Sequence, residues 1–247
     1  MKCSQASPIG LMTALMFFLV SCGNNAEKTT TDQKTSDSTT ATTTTPPAPA
    51  STVVTTPQNM MVVTHKVKNF WAWKSSYDAH DSLKLANGVH NYVVGRGVQD
   101  SNMVLVATKV DDLNKAKAFA KGTSLKQAMQ KGGVIGAPSI HFATMTYQDT
   151  GKANSDLRVR STFTVKDWDA WQKSFEEARK QTTDNGLAVR AYGYDADDNH
   201  KVTLVSAITD TAKANAWWKS DELKKRRAAS GVVGEPVRFI YRVVQRY

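Results

Sequence analysis

The chain has 247 residues, two cysteines and a formal net charge of +10 at pH 7. Cys3 and Cys22 both fall near the start, which excludes a disulfide framework for the rest, so the folded part must stand on its apolar core alone. The charge excess belongs to later residues, because Lys2, Lys28 and Lys34 offset Glu27, Asp32 and Asp37; such a balance draws anionic lipid headgroups, acidic glycans or nucleic acid.

The amino terminus reads as a targeting segment. Lys2 is a minimal positive region, and Ile9–Val20 is an apolar stretch too short for a bilayer span, which needs about 20 residues. It ends in Leu19-Val20-Ser21-Cys22, which resembles the bacterial lipoprotein lipobox. That resemblance implies a signal peptide over residues 1–21, acylation of Cys22 with palmitate or a similar chain, and the membrane as a partner through the lipid. Gly23 rather than Asp follows the cysteine. By resemblance to the lipoprotein sorting rule, this implies the outer membrane; a periplasm-facing chain is the expectation, with a surface-exposed one the open alternative. An envelope anchor argues against nucleic acid.

Residues 22–58 are rich in Thr, with Pro46-Pro47-Ala48-Pro49 and almost no large apolar residue before Val53. Nothing there offsets the entropy of ordering, so the expectation is a disordered tether spanning roughly 30–35 Å. A glycosylated stalk is the other reading of so many hydroxyls.

The body then repeats itself. Residues 65–142 and 163–240 align without a gap at an offset of 98 (163 − 65 = 98). Val67-Lys68, Ala72-Trp73, Asn87-Gly88 and Leu125-Lys126 recur as Val165-Lys166, Ala170-Trp171, Asn185-Gly186 and Leu223-Lys224. A period this long means two copies of a small domain, since solenoid repeats run about 20–50 residues. The expected boundaries are 59–147 and 157–247, with 148–156 as a linker.

Each copy reads β-α-β-β-α-β. Met60–Val67 is a β-branched run suited to a strand. Phe70, Trp73 and Tyr77, and Trp168, Trp171 and Phe175, share a helix face at core spacing. Asn87-Gly88 and Asn185-Gly186 stop these helices. Strands follow at Val89–Gly97 and Met103–Val110, and Asp112 and Asp210 are placed to cap the second helices. A short extra helix begins at Thr123 or Ser220, and the last strands are expected at Ser139–Tyr147 and Val237–Gln245. This order is the ferredoxin-like split βαβ unit, whose sheet leaves one face bare. Two such repeats packed sheet to sheet would cover each other as an intrachain pseudo-dimeric α+β barrel, monomeric as a chain.

Val67-Lys68-Asn69-Phe70 with Trp73 and Tyr77, and Val165-Lys166-Asp167-Trp168 with Trp171 and Phe175, resemble the dimeric α+β barrel superfamily, the antibiotic-biosynthesis-monooxygenase-like group. Lys115-Ala116-Lys117-Ala118-Phe119 and Gly133-Val134-Ile135-Gly136-Ala137-Pro138 strengthen the resemblance. It covers most of residues 60–245, mainly at packing and turn positions. The group includes cofactor-free oxygenases acting on polycyclic aromatics and haem-degrading enzymes. The Asn, Trp and His constellation of the haem branch has no residue-by-residue match here, so the resemblance implies a fold, no cofactor and no catalytic assignment.

No phosphate-cradling loop, zinc-protease histidine pair, Gly-x-Ser-x-Gly or cysteine cluster is present. His65 lies late in the first strand and His141 early in the fourth, on neighbouring strands, with Phe163 and Phe239 at the matching positions. One reading places the two imidazoles side by side in a ligand pocket, as hydrogen-bond partners or proton shuttles. The other reading is two half-buried ring positions where histidine replaces phenylalanine. A metal site lacks a third ligand. Lys224-Lys225-Arg226-Arg227 reads either as a contact for an anionic envelope component or as a solvated helix face. Two functions follow from these readings. The first is an envelope-anchored binding or scaffold module. The alternative is a cofactor-independent monooxygenase-like enzyme acting on an apolar or aromatic small molecule.

Overall fold

A computed structural model describes residues 51–247. The expected signal peptide, Cys22 and most of the tether lie outside the described residues. A two-residue strand β1 (Val53–Val54) leads into the first repeat, β2 (Gln58–Val67), α1 (Phe70–Ala79), α2 (Asp81–Leu85), β3 (Val89–Gly97), β4 (Met103–Val110), α3 (Leu113–Lys121), α4 (Thr123–Lys131) and β5 (Val134–Asp149). The second repeat is β6 (Leu157–Val165), α5 (Trp168–Glu177), α6 (Arg179–Asp184), β7 (Leu187–Asp195), β8 (Asp198–Ile208), α7 (Thr211–Lys219), α8 (Asp221–Ala229) and β9 (Val232–Arg246).

Short polar side chains start the helices by accepting otherwise unpaired amides. Asn69 accepts from Ala72 N–H at 2.9 Å, and Asp167 from Ala170 at 2.7 Å. Asp112 and Asp210 do the same for Lys115 and Lys213, at 2.8 and 3.0 Å. Gly88 and Gly186 end the first helical layers at φ +66° and +76°, a conformation that costs glycine little.

Each repeat forms a four-stranded antiparallel sheet, β5-β2-β4-β3 and β9-β6-β8-β7. β3 also pairs with β9, and β5 with β7, so all strands except β1 close into one ring. The chain is an α+β protein: two ferredoxin-like βαββαβ repeats form an intrachain pseudo-dimeric α+β barrel, with the helices outside. Closure leaves neither sheet with an unpaired long edge. Along β2, Met61, Val63 and Val67 pack under the helices while Met60 and Val62 pack inward, the period-two alternation of a strand covered on both faces.

Glycines permit the two seams. A Cβ on Gly95 would collide with the Tyr241 ring, and one on Gly193 would collide with the Thr144 carbonyl. These glycines are equivalent in the two repeats (193 − 95 = 98). Each repeat also lends a tyrosine to the other. Tyr147 at the end of β5 stacks on Tyr192 and receives a hydrogen bond from Arg179. Tyr247, after β9, donates to Asp78 at 2.6 Å beside Tyr77.

Two expected boundaries shift. The last strands begin earlier than expected because Gly136 and Gly234, at φ +70° and +71°, make bulges inside β5 and β9 rather than turns before them. Order also begins before residue 59. Val53 pairs with Asp149, and Thr52 donates to the Asp149 carboxylate at 2.9 Å. Arg190 clamps the same stretch through Asp149, at 2.6 Å to the carboxylate.

Candidate functional site

In the first repeat a cavity of about 70 Å³ separates the helices from the sheet. Met61, Val63, Trp73, Phe119, Leu125 and Met129 supply its apolar lining. The sheet wall presents His65, only 4% exposed. Its ring meets Trp73 edge-on at 5.3 Å, and neither ring nitrogen has a hydrogen-bond partner. Burial pushes the imidazole down to about 4, so at neutral pH it carries no charge, with one nitrogen donating and one accepting.

Ser76 and His80 line the helix side of this cavity, with His80 Nδ1 2.6 Å from the Ser76 carbonyl, and three further polar side chains are tied within the fold. Thr108 donates to the Met61 carbonyl at 3.1 Å. Lys84 donates to the Tyr77 carbonyl at 3.0 Å and lies 3.4 Å over the Tyr77 ring. Burial brings the ammonium down to about 8. Tyr77 donates to Asn91 at 2.5 Å, and Asn91 to Asp81 at 2.8 Å; burial raises the Tyr77 phenol well above its usual range. The site therefore offers an incoming molecule a mostly apolar slot whose sheet wall carries the buried His65 imidazole with both nitrogens unpartnered.

The second repeat has the matching cavity, about 90 Å³, with Phe163 where the first has His65. Phe163 contacts Trp171 as His65 contacts Trp73, at 5.4 Å. Arginines replace the apolar floor: Arg226 donates to Gln181 at 3.2 Å, Arg227 bridges to Glu235 at 3.4 Å, and Arg238 lies over Trp218 at 5.2 Å.

His141 is elsewhere, so the expected side-by-side pair does not form. Its register partner on β2 is Val62, three residues before His65. An odd separation along a strand reverses the face. His65 points under the helices, and His141 points into the mouth of the barrel lumen, near Arg160, Lys201 and Phe239. There Ser139 Oγ lies 2.8 Å from its Nε2. Burial, then Arg160, lower its pKa.

The basic run of α8 is likewise divided by helical periodicity. Lys224 and Lys225 are exposed, whereas Arg226 and Arg227 are half-buried and line the second cavity. They do not form one continuous cationic surface. Among the described residues no group of three or more His, Cys, Asp or Glu is placed to hold a metal, and no helix is long and apolar enough to cross a membrane.

Sequence reasoning missed Lys84 and the lumen arginines Arg158, Arg160 and Arg190. The signal for Arg158 and Arg160 was present: they alternate with Val159 and Ser161 along β6, and in a closed barrel such alternation turns the charges inward.

No family profile and no curated protein matches this sequence. Solved structures match in shape. A candidate monooxygenase from Fusobacterium nucleatum subsp. nucleatum aligns over 76% of this chain and 93% of its own, with 16% identity and a TM-score of 0.50. An anthrone oxidase-like protein aligns over 76% of this chain and 92% of its own, with 14% identity and a TM-score of 0.52. A candidate chlorite dismutase aligns over 76% and 96%, with 13% identity and a TM-score of 0.53. The closed ring and these likenesses define the fold: an α+β barrel of the dimeric kind, with both halves in one chain. At such identities the likeness is one of fold, and an activity must be argued from the residues themselves.

Proposed function

We propose that this chain is an envelope-tethered small-molecule-binding protein, whose first-repeat cavity takes a flat apolar ligand bearing one hydrogen-bonding group. The observation that carries this reading is His65, a buried neutral imidazole with both nitrogens unpartnered in a mostly apolar slot. An orphaned buried polar group costs about 1–3 kcal/mol, and a ligand hydroxyl or carbonyl would recover that cost. The slot is smaller than a benzene-sized cavity of about 150 Å³; Met129 in its lining has the flexible side chain to yield.

Anchoring through Cys22, at the outer membrane and facing the periplasm, belongs to the same proposal. The anchor rests on Lys2, the apolar stretch Ile9–Val20 and Leu19-Val20-Ser21-Cys22, and the outer membrane on Gly23 in place of Asp. The tether would hold the barrel off the membrane, and the exposed Lys224 and Lys225 would face anionic envelope components.

The monooxygenase reading has the fold likeness and the apolar cavity in its favour. His65 argues against it as a general base. A base works best with a pKa near the operating pH, and burial holds this one at about 4. Binding is therefore the stronger reading.

Titration of the full-length chain with p-cresol and with toluene tests it. Phe is the second repeat's residue at this place, so His65→Phe preserves packing. The variant should bind p-cresol at least about tenfold more weakly and toluene equally. Equal p-cresol affinity in both proteins, or none in either, sinks the proposal.

A further inference from the structure

The barrel lumen is divided by charge along the boundary between the repeats. Its second-repeat wall carries Arg158, Arg160 and Arg190. The first repeat has Met60, Val62 and Tyr92 at the same positions (158 − 98 = 60, 160 − 98 = 62, 190 − 98 = 92). Two of the arginines are committed within the fold. Arg158 donates to the Ser155 carbonyl and, at 3.0 Å, to that of Leu157. Arg190 holds the Asp149 carboxylate at 2.6 Å and its carbonyl at 2.5 Å.

Arg160 has no such partner. Among the described residues it makes no hydrogen bond or ion pair, and its Nε is buried and unsatisfied. Burial lowers its pKa, and the opposing group beside it is the Tyr241 phenol, which burial pushes up to about 12 and so keeps neutral. A guanidinium does not shed its proton in a protein. Buried charge without a counter-charge is costly, so an anion is the missing element.

The position of Arg160 indicates which anion. It borders both the enclosed inner lumen, about 70 Å³, and a wide mouth of about 500 Å³, a volume typical of small-molecule sites. The charges lining the mouth sum to zero, Asp195 and Glu235 against Lys201 and Arg160. Glu235, however, is bridged to Arg227 at 3.4 Å, and the group acting on Arg160 is the Tyr241 phenol rather than either carboxylate. The guanidinium therefore has room for one singly charged head. Val62, Ala143 and Phe239 supply apolar walls around it. We infer that the lumen mouth binds a small amphipathic carboxylate, its head paired with the Arg160 guanidinium and its body against Val62, Ala143 and Phe239. A planar fork matches a carboxylate with two parallel hydrogen bonds. A single head charge suits the site better than a phosphate dianion. This site is on the opposite face of the sheet from His65, so neither proposal depends on the other.

The test is calorimetric titration of the full-length chain with hexanoate at fixed ionic strength, beside Arg160→Met and His65→Phe. Hexanoate should bind wild type and His65→Phe alike, and Arg160→Met at least about tenfold more weakly. A methionine at 160 suits the fold, since Val62 holds the equivalent place; its melting temperature without ligand should match or exceed that of wild type. Two probes on wild type need no variant: 1-hexanol has the body without the charge, and inorganic phosphate the charge without the body. Each should bind at least about tenfold more weakly than hexanoate. Absent hexanoate binding, or equal affinity in Arg160→Met, overturns the site. Phosphate or 1-hexanol binding as tightly as hexanoate overturns its assignment to an amphipathic anion.

Discussion

His65 and Phe163 hold one station in the two repeats. Each ring meets its repeat's central tryptophan at nearly the same geometry, 5.3 Å and 61° against Trp73, and 5.4 Å and 59° against Trp171. The backbone therefore tolerates either ring. What differs is chemistry: one ring brings two nitrogens into an apolar slot and the other brings none. A duplicated fold has kept its packing while its cavities diverged, one with a buried imidazole on its sheet wall, the other floored by arginines.

This equivalence makes His65 the clearest source of pH-dependent stability. Its unfolded pKa is about 6.5, and its folded value is lowered to about 4 by burial. Between those values the unfolded chain binds the proton and the folded chain does not. Stability from this group is thus full above about pH 6.5 and is lost as pH falls toward 4. Relative to His65→Phe, wild type should lose roughly 2–3 kcal/mol between about pH 7.5 and 4.5. Urea denaturation of both proteins across that range measures it, and a constant difference would refute the assignment.

The seam glycines should be sensitive to a single methyl group. Gly95→Ala would press on the buried Tyr241 ring, which can shift only by giving up packing, whereas Gly193→Ala would press on the Thr144 backbone carbonyl, where only the paired strands themselves can move apart. We expect Gly95→Ala to cost about 1–3 kcal/mol and Gly193→Ala to fall at or above the upper end. Denaturant midpoints give the order. Equal and negligible losses would mean that the seams are looser than described.

Tyr247 ties the end of the second repeat to the first repeat's helix layer. Against the upward push of burial, hydrogen bonds from Lys74 and Tyr247 hold the Asp78 carboxyl below its usual range. Tyr247→Phe should raise that pKa, readable by carboxyl-carbon NMR. The bond is solvent-exposed, so its loss should cost only about 0.5–1 kcal/mol. An unmoved Asp78 titration would contradict the contact.

The proposed anchor predicts a mass. In its own host the wild-type chain should lose residues 1–21 and gain acyl chains on Cys22, each buried CH₂ contributing about 0.8 kcal/mol of membrane affinity. Cys22→Ser should lack that mass and leave the membrane fraction. An unacylated wild-type chain would remove the envelope placement.

The repeat, the order of its elements and the helix caps at Asp112 and Asp210 are local properties of the sequence. Apolar period, turn residues and capping side chains act over a few positions, so each is legible within a short stretch of residues. The offset of 98 between equivalent residues then makes a paired architecture the natural solution for two half-bare sheets. What the chain in isolation could not decide was register. His65 and His141 lie on adjacent strands, but pairing of His141 with Val62 sends them to opposite faces, because side-chain direction reverses at each residue along a strand. Closure through two seams turned Arg160 inward and left it without a counter-charge. That outcome depends on which strands meet across the barrel, a long-range relationship that no window of sequence contains.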